Sequence, residues 1–415
     1  MKRAIVLGGV SPHIALIKNL KERGYEVVLV DYYENPPAKP YADEHIQEST
    51  LNRDAIIAIA KERKADLIIT TCVDHANVIM TYAAEQLDLP HPYSYETALN
   101  VTDKGRMKRI MKENDVPTSD FMILSDKSQL DGLQLTFPMV IKPVDNNGSK
   151  GVKKVDSMEE LYDSYDASAK YSKTDEVIIE GFNEGSEIQI DCYAYADSAE
   201  VLMVRKKLKM PISKGMAMQS FGSIIPPTLS EKAQAEVQRI ADGIAKAFNL
   251  QYMPFFIQAI VKNDDIKVIE FSPRLGGGLS YKLIHMVSGF NLLDAAIDAY
   301  FRTPRTIDTN RKPKVYATQI VYAKHGEFDH VEGFDALLAE NMIETVDFMV
   351  TKGDVFGTEM DSKNRCAAYI VCADSKEEEV VAKINEINQR IDIKDPQGNS
   401  LLVKMQLTMS EFDQL

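Results

Sequence analysis

Short apolar runs alternate with longer amphipathic stretches through the first hundred residues. Residues 3–8 (RAIVLG) form an apolar run, and residues 12–23 carry apolar positions at helical spacing until Gly24 stops them. A second run, residues 26–30, ends at Asp31, and a third, residues 66–70, leads to a helix after Asp74. Strand and helix in strict alternation predict an α/β region with a doubly wound parallel sheet. Further on, residues 137–142 and 177–181 read as buried strands, and residues 187–191 alternate. Residues 230–248 and 291–301 read as helices. Residues 314–322 and 367–373 read as strands, followed by a helix over 375–391. No repeat or low-complexity tract interrupts the pattern.

Three of these segments carry chemistry. In KNDDIKVIEFSPRLGGG, residues 262–278, a strand delivers Glu270, Ser272 and Arg274 to one face before a triple glycine. An acid beside an arginine suits a metal-bound polyphosphate, with Glu270 holding Mg²⁺ and Arg274 gripping the transferred phosphoryl group; a surface salt bridge is the plainer alternative. In FPMVIKPVDNNGSKGV, Lys142 tips a strand and Gly148, Ser149, Lys150 and Gly151 form a loop able to close over phosphates. The loop is not a Walker loop, because G-x-x-x-x-G-K-[ST] is absent; an ordinary hairpin turn has the same composition. In VIIEGF, Glu180, Gly181 and Phe182 end a strand with backbone groups able to meet an adenine edge. Glu187 opens the next strand, where a carboxylate can accept both ribose hydroxyls. Two amphipathic strands with charged ends would look alike.

Together, VIKPVDNNGSKGV, VIIEGF, GSEIQID and FFIQAIVKNDDIKVIEFSPRLGGG, preceded by TDKGRMKRIM, resemble the ATP-grasp superfamily over about residues 1–310. The resemblance implies a domain order of 1–103 (a βαβ domain ahead of the nucleotide fold), 104–310 (ATP-grasp, with a lid at 117–192) and 311–415 (a small α/β region). It implies ATP as substrate with Mg²⁺ (Mn²⁺ as substitute), Lys104 as a further ATP contact, and Gln258 joining Glu270 and Ser272 around the metal. The family usually has asparagine where Ser272 stands, and a serine hydroxyl is a weaker neutral ligand. Gly276, Gly277 and His285, the last read as lying at a helix start, are implied substrate contacts; a histidine capping its own loop is the alternative. The segment is similar to members of the carboxylate–amine ligase and L-amino acid ligase branch. That implies activation of a carboxylate as an acyl phosphate and capture by an amine, without a side-chain nucleophile. Two other readings stand beside it: a carbamoyl-phosphate-synthase- or carboxylase-like enzyme acting on bicarbonate, and a catalytically dead ATP-binding regulator.

Composition narrows the setting. The chain has 415 residues, 45% of them hydrophobic, with a net charge of -14 that argues against a nucleic-acid partner. No apolar run reaches membrane-spanning length. Cys72, Cys192, Cys366 and Cys372 lie far apart without C-x-x-C pairs, as expected of free thiols in the cytoplasm. The expected partners are a small carboxylate and an amine; a homodimer is compatible. The turn GGVSPH lacks the third glycine of a dinucleotide fingerprint, so Gly8 and Gly9 are read as a tight turn facing the substrate. The stretch 206–227, rich in lysine, serine, glycine and methionine, reads as a mobile or connecting loop over the site.

Overall fold

A computed structural model describes residues 2–146, 151–210, 219–308, 314–374, 376–413 and 415. The first strands, β1 (Lys2–Leu7), β2 (Tyr25–Asp31), β3 (Glu44–Gln47) and β4 (Leu67–Ile69), pair in the order β3-β2-β1-β4. Every ladder is parallel. Helices α1 (Ser11–Glu22) and α2 (Arg53–Glu62) connect them and α3 (Asp74–Gln86) follows β4, as the alternating pattern predicts. Both faces of a parallel sheet are covered, so Ala4 to Leu7 and Val27 to Val30 are all fully buried. The turn after β1 is held by Asp31, whose carboxylate accepts from Gly9 N (2.7 Å) and Tyr33 N (2.8 Å). Its lone pairs serve the loop, in keeping with the rejection of a dinucleotide site.

Helices α4 (Tyr95–Thr102) and α5 (Lys104–Glu113) lead to a second, smaller sheet. Strands β5 (Phe121–Leu124), β6 (Met139–Pro143), β7 (Lys153–Val155) and β8 (Val177–Gly181) pair antiparallel in the order β5-β8-β6-β7. One face packs on α6 (Met158–Ala169), burying Met139, Ile141, Val177 and Ile179 with Leu161 and Tyr165. By strand alternation, Lys142 and Glu180 therefore lie on the opposite face.

The largest sheet starts with β9 (Ser186–Ala194), β10 (Ala199–Lys209), β11 (Ser220–Ile225), β12 (Met253–Lys262) and β13 (Asp265–Ser272). Helix α7 (Glu231–Ala247) lies on one face, where Val237, Ile240 and Ile244 pack with Ile188, Ile190, Ile257 and Phe271. The other face carries the polar Glu187, Gln189, Asp191, Gln258 and Glu270, and elsewhere on it Tyr193, Leu202, Met203 and Ile225 pack with Leu283, Ile284 and Leu292. Helices α8 (Ser280–Ser288) and α9 (Leu292–Asp298) follow.

This sheet continues past residue 310. Strand β14 (Val315–Ala323) pairs with β11, so no sheet boundary separates the expected second and third regions. The remaining elements are β15 (Gly326–Glu327), β16 (His330–Glu332), α10 (Phe334–Ala339), β17 (Thr345–Phe348), β18 (Val355–Phe356), β19 (Arg365–Ala373), α11 (Glu377–Arg390), β20 (Asp392–Lys394) and β21 (Leu402–Val403). The path runs β13-β12-β9-β10-β11-β14-β19-β17, with β21 on β14. Strand β9, expected within the lid, belongs to this sheet. The stretch 206–227 is largely a β10–β11 hairpin, with only residues 211–218 outside the description.

Candidate active site

The polar face of the large sheet and the free face of the small sheet meet over α5. On β12 and β13, Gln258 stands opposite Glu270 and Phe256 opposite Ser272. A register shift between Gln258 and Ala259 puts both Val268 and Phe271 into the core under α7 and leaves Glu270 on the polar face. Gln258, Glu270 and Ser272 are each partly exposed there. One carboxylate, one amide and one hydroxyl make an oxygen-only donor set. It fits a Mg²⁺ ion that keeps waters and is shared with phosphates rather than caged by protein. Among the described residues no group of three His, Cys, Asp or Glu side chains could hold a metal alone.

Arg274 does not pair closely with Glu270. Its fork is taken by Asp74 at the first turn of α3: Nε donates to Oδ1 at 2.5 Å and Nη2 to Oδ2 at 2.6 Å. Ser272 Oγ also donates to Asp74 Oδ1, at 2.8 Å, and the guanidinium stacks over Phe256 at 5.1 Å. Burial acts to raise the Asp74 pKa, but Arg274 and Ser272 outweigh it and hold the carboxyl below the usual range. Asp74 is a site residue that the sequence had marked only as a helix start; the one available signal was an acid at the mouth of a strand–helix turn.

Helix α5 brings two lysines into the cleft. Lys104 Nζ donates to Asn146 O at 2.6 Å and lies 3.6 Å from Glu270 Oε2, joining the segment after β6 to β13. One turn later, Lys108 is fully buried, with Nζ 3.1 Å from Glu180 Oε2. Lys142 Nζ reaches the other oxygen of Glu180 at 2.6 Å. Burial acts to raise the Glu180 pKa, but the two ammonium groups hold it below its ordinary value. The expected hinge is thus different in detail. The Glu180 side chain faces lysines, while Gly181 N donates to Asp120 O (3.1 Å) and Phe182 N to Pro138 O (3.0 Å). Those two N–H groups are already used within the small sheet.

Of the expected phosphate loop, Gly148, Ser149 and Lys150 lie outside the described residues. Gly151 has φ +73°, and a Cβ there would sit 3.0 Å from the Tyr171 ring and 3.2 Å from Pro143. Glycine is therefore required at the end of the loop.

Along β9, Glu187, Gln189 and Asp191 alternate onto the polar face, opposite Arg205 and Lys207 of β10. Glu187 accepts from Lys207 Nζ at 2.6 Å and pairs with Lys209 as well. Burial opposes its charge, but the two lysines keep its pKa below the ordinary value. The expected ribose acceptor is thus held by two cations that the sequence reading assigned to a loop; the alternating R-K-K-L-K pattern was the available signal. Asp191 lies 3.6 Å from Arg205 and accepts from Gln189 Nε2 at 2.8 Å. Burial raises its pKa in spite of Arg205. Gly276 packs under this group: a Cβ would meet Ser280 Oγ at 2.9 Å and Gln189 Nε2 at 3.2 Å. Gly277 O accepts from Ser280 Oγ at 2.8 Å, and Arg205 Nη2 donates to the same hydroxyl at 2.8 Å. His285 lies in the last turn of α8 and is exposed, so it is not at a helix start as expected. Gly289, in the left-handed conformation, ends that helix instead.

Lys104, Lys142 and the acidic residues Glu180 and Glu270 thus line one cleft. The family model described as the ATP-grasp domain matches residues 135–282 of this chain. The chain is 22% identical over 349 residues to the L-arginine-specific L-amino acid ligase of Bacillus subtilis, covering 81% of this chain and 82% of that one. The crystal structure of the L-amino acid ligase from Bacillus licheniformis is similar with a TM-score of 0.81 at 20% identity, covering 95% of this chain and 99% of that chain. The biotin carboxylase domain of Hydrogenobacter thermophilus 2-oxoglutarate carboxylase, crystallised with MgADP and bicarbonate, has a TM-score of 0.75 at 18% identity. That match covers 94% of this chain and 90% of that one.

Proposed function

We propose that the protein is an ATP-dependent ligase that activates a carboxylate as an acyl phosphate and joins it to an amine. The observation that carries this reading is the convergence of Lys104, Lys142, Glu270 and Arg274 on one cleft between two sheets. Lys142 and Lys104 hold the ATP phosphates. Gln258, Glu270 and Ser272 hold Mg²⁺, which supplies charge neutralisation on the phosphates. A substrate carboxylate oxygen attacks the γ-phosphorus, and the bond from that phosphorus to ADP breaks. The amine nitrogen then attacks the acyl carbon, inorganic phosphate leaves, and the nitrogen loses a proton. Arg274 stabilises the charge that spreads over the phosphoryl oxygens, and Asp74 fixes its fork. The residue 148–151 loop closes to exclude water. Glu187 serves the ribose once Lys207 and Lys209 share it with the nucleotide. Gly276 and Gly277 form the floor beneath the acceptor, and His285 takes no part in the first contact with it.

Residues 1–103 shape the acceptor side of the cleft, 104–310 the nucleotide fold, and 311–415 a buttress on the shared sheet. The four free cysteines suit a reducing cytoplasm. Phosphate release from ATP, screened across pairs of carboxylates and amines, tests the reading. Turnover that needs both an acid and an amine supports it. Turnover with bicarbonate alone would move the protein to the carboxylase-like chemistry, and ATP binding without turnover would make it a regulator.

A further inference from the structure

Lys108 has no place in the chemistry above, yet it is fully buried, while Lys104 and Lys142 each keep slight exposure. Its Nζ is 3.1 Å from Glu180 Oε2 and donates to Thr118 Oγ1 at 2.6 Å, and Thr118 Oγ1 donates to Val268 O at 2.8 Å. A single ammonium thus ties the small sheet, through Glu180, to the metal strand β13. Glu180 is buried, and its other oxygen, 2.6 Å from Lys142, has no aligned hydrogen bond. Lys142 is the lysine that the nucleotide phosphates would attract. Whatever draws Lys142 away removes half of the counter-charge of a buried carboxylate.

We propose that Lys108 is a positioning residue of the nucleotide site: it is the standing counter-charge of Glu180, keeping that carboxylate ionised when Lys142 turns to the phosphates. This rests on the ATP-binding reading above. Without Lys108, a buried Glu180 released by Lys142 has no cation beside it and must take a proton from solvent. Binding of nucleotide then becomes coupled to proton uptake, and affinity falls as pH rises. The charged groups around the pair are few. Lys108 and Lys104 come from α5, Lys142 from β6 and Glu270 from β13, while β5 presents Phe121 opposite Glu180. Burial lowers the Lys108 pKa to about 8 against the pull of Glu180, and repulsion from Lys142 adds to that lowering. Removal of Lys142 to the phosphates relieves the repulsion, so the wild-type pair keeps its charges through neutral pH.

The test is titration calorimetry of a non-hydrolysable ATP analogue with Mg²⁺, in buffers of different ionisation enthalpy, between pH 6 and 8. Lys108→Met is expected to take up about one more proton per nucleotide than wild type. Its affinity should be roughly 10- to 100-fold weaker at pH 8 and should recover toward wild type as the pH falls. Lys108→Arg, which keeps a permanent charge, should return the wild-type proton count. The double variant Lys108→Met/Glu180→Gln should lose the extra proton, and it decides the matter if Lys108→Met alone does not fold. A purely structural lysine predicts lower stability with an unchanged proton count, and that result, or an extra proton that persists in the double variant, overturns the proposal. Wild-type protein that binds no nucleotide overturns the ATP reading and this inference together; a wild type that binds, with a Lys108→Met protein indistinguishable from it, overturns this inference alone.

Discussion

Arg274 is held by Asp74 in a bidentate pair, and the two roles of that guanidinium are separable by substitution. Lysine keeps the charge but cannot present a planar fork. Arg274→Lys is expected to keep most nucleotide affinity and to lose turnover by roughly 10²-fold or more, the scale of one preorganised electrostatic donor. Turnover and a melting curve on the same sample decide it. A lower melting temperature with turnover per folded molecule intact would leave Arg274 a structural partner of Asp74. Glu270 is the single carboxylate among the three proposed metal donors, so Glu270→Ala should abolish ATP turnover while the fold persists. Its side chain is one-third exposed and its removal opens no core cavity. Circular dichroism alongside phosphate release checks this, and wild-type-like turnover in a folded variant would sink the metal assignment. Lys142→Ala should weaken ATP binding by about 1–3 kcal/mol, the range for a charge-assisted contact. An unchanged dissociation constant would mean that Lys142 stays with Glu180.

At the scale of elements, strand alternation distributes chemistry to one face and packing to the other. Glu187, Gln189 and Asp191 share β9 with Ile188, Ile190 and Cys192, which are fully buried under α7. That division was readable because a two-residue period needs no partner strand to be seen. Which cations would face the acids was not readable, because the Lys207–Glu187 pair depends on the β9–β10 register. Helix α1 offers an independent check on the first sheet. His13 is fully buried, 3.3 Å from Thr70 Oγ1, and burial lowers its pKa from 6.5 to about 4. The folded state therefore keeps His13 neutral where the unfolded chain takes a proton. The stability this gives is complete above about pH 6.5 and is lost as pH falls toward 4, amounting to roughly 3 kcal/mol at the lower end. Urea titrations from pH 7 to 4.5 should show this fall, and His13→Gln should flatten it. An unchanged pH slope in that variant would mean that other groups set it.

For the whole molecule, the large sheet couples the regions on either side of residue 310. The β11–β14 approach is tight: a Cβ at Gly222 would lie 2.3 Å from Thr318 O. A chain ending at residue 310 would expose β11 as an unpaired edge and uncover apolar residues that now pack with β14 and β19. Such a truncated protein is expected to aggregate or to lose cooperative unfolding, measured by size-exclusion chromatography and thermal melting. A soluble, cooperatively folding 1–310 fragment would show that residues 311–415 are an independent appendage.

The chain by itself determined the parallel first sheet and the strands and helix that carry Glu270, Arg274, Lys142 and Lys104. Each of these is written in local periodicity or in a short motif whose residues act from one strand end or helix turn. Only the tertiary structure decided that Asp74, some two hundred residues away in sequence, holds Arg274. It also decided that Lys108 shares Glu180 with Lys142, and that the last hundred residues extend the large sheet. These are meetings between distant segments. The first two draw their energy from pairing charges that burial would otherwise penalise and the third from strand pairing and apolar packing, and neither partner carries a local pattern that names the other.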